Sequence, residues 1–315
     1  MRPALPIPDA VRDAVNGNWV DNSAPPGWRP WLRLSRLDRP IGTWLLLLPC
    51  WWGVGLAMMA DRARWLDLWI ILACGIGAIA MRGAGCTWND ITDRDIDGAV
   101  DRTAKRPIPS GQVTLRGALF WLAAQLLIGL AVLLTLDGAA IWLGVLSLLP
   151  VTIYPFAKRF TWWPQIFLGI AFNWGVMLAY AAHRGGLDLA PIIAWFGGIA
   201  WTVFYDTIYA HQDIEDDALI GVKSTARLFG ADTHRWLLAF GVCAVILLAV
   251  AISASGVGGA GWIIAMAGLA GFAAHLVWQL RRLDLGDADR QLMLFRSNRD
   301  AGLILAAALC LAGIV

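Results

Sequence analysis

Long apolar runs recur along this chain, separated by short segments rich in charged residues, Gly and Pro. A helix that crosses the hydrocarbon core of a bilayer needs roughly 20 consecutive apolar residues. Nine runs come near that length, at residues 40–60, 68–88, 117–136, 139–156, 164–182, 189–210, 236–254, 258–280 and 301–315. The ten-residue segments of alternating polarity that are typical of a membrane β-barrel are not found. The pattern predicts an all-α integral membrane protein with about nine transmembrane helices.

The composition excludes a water-soluble domain. Of the 315 residues, 58% are hydrophobic and only 15% are charged, whereas soluble domains carry about 25% charged residues. Residues 1–35 are rich in Pro, Asn and Gly and lack the features of a signal peptide. We therefore expect residues 1–35 to form a mostly irregular cytoplasmic leader, and residues 36–315 to form a single membrane domain.

Basic residues divide the predicted loops into two faces. The loops after the first, third, fifth and seventh spans hold only Arg62, Arg64 and Arg184, and the remaining loops hold many more. The positive-inside rule places the strongly basic face, and the N-terminus with it, in the cytoplasm. We expect the inner (cytoplasmic) membrane of a bacterium, with the active site on the cytoplasmic side. The net charge of +2 is spread along surface loops, so no nucleic-acid partner is predicted.

Acidic residues concentrate in two short windows on the basic face. Ten of the 23 lie there, namely Asp90, Asp93, Asp95, Asp97 and Asp101, and Asp206, Asp213, Glu215, Asp216 and Asp217. Helical spacing stacks Asn89, Asp93 and Asp97 on one face. The same spacing aligns Asp206, Tyr209, Asp213 and Asp217. Like charges stacked in this way repel unless cations neutralise them, and Mg²⁺ is commonly held by a few carboxylates together with substrate phosphates.

Basic side chains follow both windows and fit an anionic ligand. Arg102, Lys105 and Arg106 come after the first window, Lys223 comes after the second, Tyr154 and Lys158 lie one helical turn apart, and Arg39 precedes the first span. Each alone is as well explained as a charge at the membrane surface. A solvated acidic face is likewise the competing explanation for the carboxylates. Together the two sets favour a site for magnesium and a diphosphate.

These residues carry a family resemblance. The motif NDxxDxxxD at 89–97, followed by RTAKRPIPSG at 102–111, resembles the UbiA superfamily of membrane prenyltransferases, and so do YxxxK at 154–158 and DxxYAxxDxxDD at 206–217. The resemblance runs from about residue 36 to near the C-terminus. Within the superfamily, MRGAGCTWND, YPFAKRFTWWPQIFLG and YDTIYAHQDIEDDALIGVKSTA are most similar to the branch that prenylates 4-hydroxybenzoate in ubiquinone biosynthesis.

The resemblance implies nine helices around a central cavity and a Mg²⁺-dependent reaction. A polyprenyl diphosphate would donate its chain to the ring carbon ortho to the hydroxyl of 4-hydroxybenzoate, releasing diphosphate. The implied metal ligands are Asn89, Asp93, Asp97, Asp213 and Asp217. The implied diphosphate-binding residues are Arg39, Arg102, Lys105, Arg106, Tyr154, Lys158, Tyr209 and Lys223. Arg159, which we also count as catalytic, or Arg82 would pair with the carboxylate of the aromatic acid.

Two other functions remain open on the sequence. One is a UbiA-type transferase that acts on a naphthoate, homogentisate, haem or chlorin. The other is a cation-coupled transporter or channel that uses the carboxylates as an ion path. Transporters tend to place acidic groups near the bilayer midplane at broken helices, whereas these windows end at the basic face beside Lys and Arg. The sequence therefore favours the transferase.

Overall fold

The computed structural model describes residues 17–97, 103–219 and 221–315, excluding the side chains of residues 95, 96 and 215–217. The described part is all helical and contains no strand, which confirms the predicted fold class. The first helices are α1 (Trp19–Asn22), α2 (Arg29–Leu34), α3 (Ile41–Ala60), α4 (Trp65–Asp97), α5 (Leu115–Leu133), α6 (Gly138–Phe160) and α7 (Pro164–Arg184). They are followed by α8 (Leu189–Ala210), α9 (Ile214–Leu219), α10 (Thr225–Phe229), α11 (Thr233–Ala254), α12 (Gly259–Arg282) and α13 (Ala288–Ala312).

Eight helical segments among the described residues are long and apolar enough to cross a membrane. They account for the first eight predicted spans. The ninth run, 301–315, belongs to α13, whose first half carries Arg290, Arg296 and Arg299 and is too polar to qualify. Helices α5 and α6 bury only 11% of their apolar windows, and Phe120 on α5 is 78% exposed. Such outward apolar surface suits contact with lipid chains.

Contacts divide the chain into two compact units, and the first comprises Met1–Thr43 and Gly77–Ala131. Its core is formed by Leu34, Val113 and Ala118, against which the rings of Trp31 and Trp121 pack. The short helix α1 begins at Asn18, whose side chain accepts a hydrogen bond from the amide of Asp21. Asp21 in turn pairs with Arg33 of α2 at 2.7 Å.

The predicted irregular leader therefore contains ordered structure in its described part. Residues 17–35 hold α1, a 3-10 turn at Pro26–Trp28 and α2. The indole of Trp19 donates a hydrogen bond to the carbonyl of Leu37 at 3.0 Å, which ties the segment to the loop before α3. The apolar pattern missed these helices because each spans only four to six residues. Residues 1–16 lie outside the described residues.

A polar chain also crosses the first unit. The indole of Trp121 donates to the hydroxyl of Ser35 at 2.8 Å, and that hydroxyl donates to Oε1 of Gln125 at 3.1 Å. The amide of Gln125 then donates to the hydroxyl of Thr87 on α4 at 3.2 Å. Buried polar groups are stable only when they are hydrogen-bonded, so this series of hydrogen bonds fixes α2 and α5 against α4.

The second unit comprises Trp44–Ile76 and Val132–Val315, and α8 lies at its centre. Helix α8 packs against α7, α11 and α13. Its Trp201 is fully buried and contacts the ring of Trp52 on α3, with the ring centroids 4.9 Å apart. The indole of Trp52 donates to the carbonyl of Gly302 on α13 at 3.0 Å. These contacts fix the helix whose C-terminal end carries the second acidic window.

Candidate active site

The first acidic group, defined as Asn89, Asp93 and Asp97, lies on the last turns of α4. The apolar run ends at residue 88, but the helix continues because the spacing of four residues stacks these side chains along one face. The amide of Asn89 donates to Oδ2 of Asp93 at 3.2 Å. Asp93 is fully buried and Asp97 is 6% exposed. The structure thus places the group where the sequence predicts it, at the end of a membrane helix.

Two arginines meet the carboxylates of this region. Arg106 donates from Nη1 to Oδ2 of Asp97 at 2.6 Å, and the same nitrogen lies 3.5 Å from Oδ1 of Asp90. Arg36 donates from Nη2 to Oδ1 of Asp90 at 2.5 Å. Asp90 is fully buried, and its Oδ2 has no hydrogen-bond partner among the described residues. Arg106, predicted to bind diphosphate, is therefore engaged by carboxylates in this structure.

The chemistry of the first acidic group suits a hard divalent cation. Burial raises the pKa of Asp97 above its ordinary value of 3.8, and the charges of Asp90 and Asp93 add to that rise, although Arg106 opposes it. A buried carboxylate in such surroundings gains from a nearby cation. Carboxylate and amide oxygens are ligands that Mg²⁺ accepts. Among the described residues, no three Asp, Glu, His or Cys side chains form a complete metal centre.

Two further predicted residues lie in the first unit. Arg39 pairs with the fully buried Asp38 beside it, with Nη2 and Oδ2 3.0 Å apart. Arg82 of α4 lies against Gly42, where a Cβ would come within 2.6 Å of the guanidinium Nε. Gly42 therefore provides the space that the Arg82 side chain occupies. This close fit was not apparent from the sequence.

Three predicted residues have limited or no structural description. Arg102 lies outside the described residues, and so does the side chain of Asp217. Lys105 is exposed. Their predicted roles in binding metal and diphosphate stay predictions.

The second acidic group is defined as Asp206, Tyr209 and Asp213; the first two lie in the last turns of α8, and Asp213 ends the 3-10 turn His211–Asp213. All three side chains are half-buried. The ring of Tyr209 packs on Phe295 of α13, with the ring centroids 4.6 Å apart. Buried His211 lies 3.1 Å from the hydroxyl of Thr233, at the start of α11. The group is therefore positioned by contacts with α11 and α13.

Predicted diphosphate-binding residues of the second unit come together at the end of α6. The backbone amide of Lys223 donates to the carbonyl of Lys158 at 3.2 Å, and its Nζ lies 3.4 Å from the carbonyl of Phe160. Tyr154 and Lys158 are both half-buried and lie one turn apart on α6. The loop after α9 thus brings one predicted lysine beside the other, 65 positions away along the chain. The contact joins the backbones of the two lysines and so brings two basic residues to the same end of α6.

Arg159 is placed differently from its neighbour Lys158. It is exposed, and its guanidinium lies 5.2 Å from the ring centroid of Phe156 on the same helix. Its predicted pairing with an aromatic acid stays a prediction.

Asp90 and Arg36 are site residues that the sequence reasoning did not assign. Asp90 was counted among the acidic residues, but the spacing of four drew attention to Asn89, Asp93 and Asp97. Asp90 and Asp97 are seven residues apart, which is two helical turns, so both can meet one guanidinium. That spacing is the signal that could have indicated a shared partner. Nothing in the sequence indicated that Arg36, 54 positions away, would supply another.

Comparisons with known proteins agree with this arrangement. The sequence model of the UbiA prenyltransferase family matches residues 46–314. A mitochondrial 4-hydroxybenzoate polyprenyltransferase from Rattus norvegicus is 48% identical over 287 residues, which cover 91% of this chain and 75% of the relative. The enzyme of the same name from Homo sapiens is 45% identical over 303 residues, covering 96% and 80%.

Solved structures share the fold. The apo structure of a UbiA homologue from Aeropyrum pernix K1 has a TM-score of 0.70 and 27% identity, covering 84% of this chain and 97% of that chain. A UbiA homologue from Archaeoglobus fulgidus, solved with GPP and Mg²⁺, has a TM-score of 0.68 and 19% identity, covering 90% and 98%. Another structure of that homologue contains Cd²⁺. Divalent metals are therefore found in proteins of this fold.

These comparisons test two of the sequence predictions. The predicted prenyltransferase is confirmed over the transporter. The predicted bacterial cytoplasmic membrane is wrong on this comparison, because the related enzymes are named as mitochondrial proteins. The positive-inside rule assigns loops to one side of a membrane from charge alone and does not identify the membrane. With its family model matched over residues 46–314 and its acidic motifs placed at helix ends, this chain belongs to the UbiA prenyltransferase family.

Proposed function

We propose that this protein transfers a polyprenyl chain from a polyprenyl diphosphate to 4-hydroxybenzoate in a Mg²⁺-dependent reaction of ubiquinone biosynthesis. The new carbon–carbon bond forms at the ring position ortho to the hydroxyl, the carbon–oxygen bond to the diphosphate breaks, and the ring carbon loses its proton. The relatives named above, at 45% and 48% identity, support this acceptor.

The observation that carries the proposal is the buried first acidic group at the end of a membrane helix. Asp93 is fully buried and Asp97 nearly so. Ionisable side chains in such positions are costly and are usually functional. When bound there, Mg²⁺ would neutralise charge on the diphosphate and stabilise it as a leaving group. We propose that Asn89, Asp93 and Asp97 hold this metal, and that Asp213 and Asp217 are likewise metal ligands.

The remaining residues act on the substrates. Lys158 and Lys223 would offset the charge of the departing diphosphate, and their proximity at the end of α6 supports this role. Tyr154, one turn before Lys158, would orient a phosphate oxygen or a carboxylate. The allylic cation left behind is stabilised by nearby carboxylates and aromatic faces. Arg159 or Arg82 would bind the carboxylate of the acceptor.

A membrane assay tests the proposal. Membranes containing the protein are incubated with radiolabelled 4-hydroxybenzoate and prenyl diphosphates of several chain lengths, with Mg²⁺ or with EDTA. We expect a labelled prenylated product that disappears with EDTA. Transfer only to a naphthoate or homogentisate would refute the acceptor and leave the reaction type standing. Unchanged transfer in EDTA would refute the metal site.

Variants of the two acidic groups test the residues. Asp93→Ala and Asp213→Ala should each reduce transfer to near background while the protein stays inserted and folded, because each removes a proposed ligand. Asp232→Ala is the matched control, since Asp232 is an exposed carboxylate that pairs only at the surface with Arg235. Normal transfer by Asp93→Ala or Asp213→Ala would contradict the assignment of that residue.

A further inference from the structure

Asp90 differs from its acidic neighbours in how its charge is compensated. Its side chain is fully buried and its Oδ1 meets two guanidinium groups, Arg36 at 2.5 Å and Arg106 at 3.5 Å. A buried carboxylate that is paired in this way is already stabilised in its charged form. A metal ion would therefore stabilise the charge of Asp90 less than it would stabilise a carboxylate that has no such partners.

Arg36 has a constrained backbone and a hydrogen-bonded side chain. Its backbone has a φ of 57°, a left-handed conformation that residues other than glycine seldom adopt. Its amide donates to the carbonyl of Arg33 at 3.0 Å, and its Nη1 donates to the same carbonyl at 3.2 Å. Such a conformation persists only where the surroundings determine it strongly. The guanidinium of Arg36 is thus held by the Arg33 carbonyl through Nη1, and it fixes Asp90 through Nη2.

Arg106 is held less completely. Its Nη1 serves both Asp90 and Asp97, and the closer contact, 2.6 Å, is with Asp97. Its Nε is buried, and within the part of the chain that the structure describes neither this nitrogen nor Oδ2 of Asp90 has a hydrogen-bond partner. An unused buried donor beside an acidic group is available for another anion. In this structure, Arg106 covers a carboxylate that the proposed function assigns to the metal.

From these contacts we propose that Asp90 is a positioning residue: anchored by Arg36, it shares Arg106 with Asp97 and so weakens the hold of Arg106 on Asp97, which eases the release of that carboxylate to the metal. Arg106 then competes with the metal for Asp97 and is transferred to the diphosphate when the substrate enters. The inference rests on the proposed function, because it assumes that Asp97 binds metal. It adds a role for Asp90, which is neither a ligand nor a substrate contact in this scheme.

The proposal predicts opposite effects on two ligands. Without Arg106, Asp97 is free for metal, so Arg106→Gln should bind Mn²⁺ about tenfold more tightly in the absence of substrate, the size of one charge-assisted hydrogen bond. The same variant should bind the unreactive analogue geranyl S-thiolodiphosphate about tenfold more weakly, for the same reason. Without Asp90, Arg106 depends on Asp97 alone, so Asp90→Asn should weaken Mn²⁺ binding.

The decisive measurement is Mn²⁺ titration of the detergent-purified protein by electron paramagnetic resonance. Asp90→Asn should weaken Mn²⁺ binding in the wild-type background and have no effect in the Arg106→Gln background. Asp93→Asn, which removes a proposed ligand, should weaken binding in both backgrounds. Asp232→Asn, at an exposed surface pair, should change neither ligand's affinity.

Three outcomes would overturn the inference. Equal weakening by Asp90→Asn in both backgrounds would make Asp90 itself a ligand. Wild-type Mn²⁺ affinity in folded Asp90→Asn would leave it a purely structural residue. Weaker binding of both ligands by Arg106→Gln would exclude competition. If Asp90→Asn does not fold, Arg36→Gln/Asp90→Asn removes the buried pair together and carries the same expectation. A wild-type protein that performs no transfer would refute the proposed function instead.

Discussion

Asn298 connects three helices through one fully buried amide, and its replacement tests how α8 is held. Its Oδ1 accepts from the indole of Trp201 at 2.9 Å and from the amide of Gln279 at 3.1 Å. Its own amide donates to Oε1 of Gln279 at 3.1 Å and to the backbone carbonyl of Leu294 at 3.1 Å. Asn298→Leu keeps the approximate volume and removes every one of these bonds.

The cost can be worked from these contacts. Asn298→Leu leaves the indole N–H of Trp201 and both amide groups of Gln279 buried without that partner, at roughly 1–3 kcal/mol for each group. The three groups together amount to about 3–9 kcal/mol, which should lower the thermal midpoint by on the order of 10 °C or more. Transfer should fall as well, because Trp201 lies on the helix that ends in the second acidic group.

Thermal unfolding is followed with a thiol-reactive dye, since Cys50, Cys74 and Cys86 are buried in the folded protein. The matched control is Asn298→Leu/Gln279→Leu. Replacing both partners removes most unpaired groups, so the double variant should be more stable than the single one. A single variant within about 1 kcal/mol of wild type, less than one unpaired group costs, or a double variant less stable than the single, would refute the reasoning.

Two further predictions concern packing and pH. Gly53→Ala should destabilise the protein by roughly 1–3 kcal/mol, because the new Cβ would lie 2.2 Å from the backbone oxygen of Val176. The control Gly75→Ala has open space around the new Cβ and should not destabilise the protein. Equal thermal midpoints for the two variants would contradict this prediction. Burial alone would raise the pKa of Asp21, but hydrogen bonds from Arg33 and Asn18 outweigh it and lower the pKa below 3.8. The stabilisation is therefore present above pH 3.8 and is lost as the pH falls through the lowered pKa, so amide exchange over residues 19–34 should accelerate on acidification in wild type and show no such change in Asp21→Asn.

The apolar pattern was sufficient to locate the membrane helices but not their polar extensions. Helix α4 runs to Asp97, nine residues past the end of its predicted run, and only the spacing of the acidic residues indicated a helix there. Helix α13 begins at Ala288 rather than near 301, because its first turns are polar. Gln291 and Asn298 in those turns are nevertheless buried. The free-energy cost of burying these polar side chains is offset by hydrogen bonds, which a hydropathy pattern does not include.

The site was predictable where it depends on local spacing and unpredictable where it depends on tertiary contacts. The alignment of Asn89 with Asp93 follows from helical periodicity, and the two side chains are hydrogen-bonded in the structure. The pairing of Arg36 with Asp90 joins residues 54 positions apart and has no local signal. The role of Arg159 shows the same limit, because its place beside Lys158 in the sequence does not tell where its guanidinium points: adjacent residues on a helix point in different directions.

The hydrogen-bonded chain from Trp121 through Ser35 and Gln125 to Thr87 makes the N-terminal segment hard to remove cleanly. A shortened protein that begins after residue 35 would keep every predicted membrane span, yet it would lack the hydroxyl that Trp121 and Gln125 share. Thr87 lies two residues before Asn89, so the loosening would reach the helix turn from which the proposed metal ligands Asn89 and Asp93 project. Loss of activity on such trimming would reflect disturbed geometry at a distance rather than a missing catalytic group.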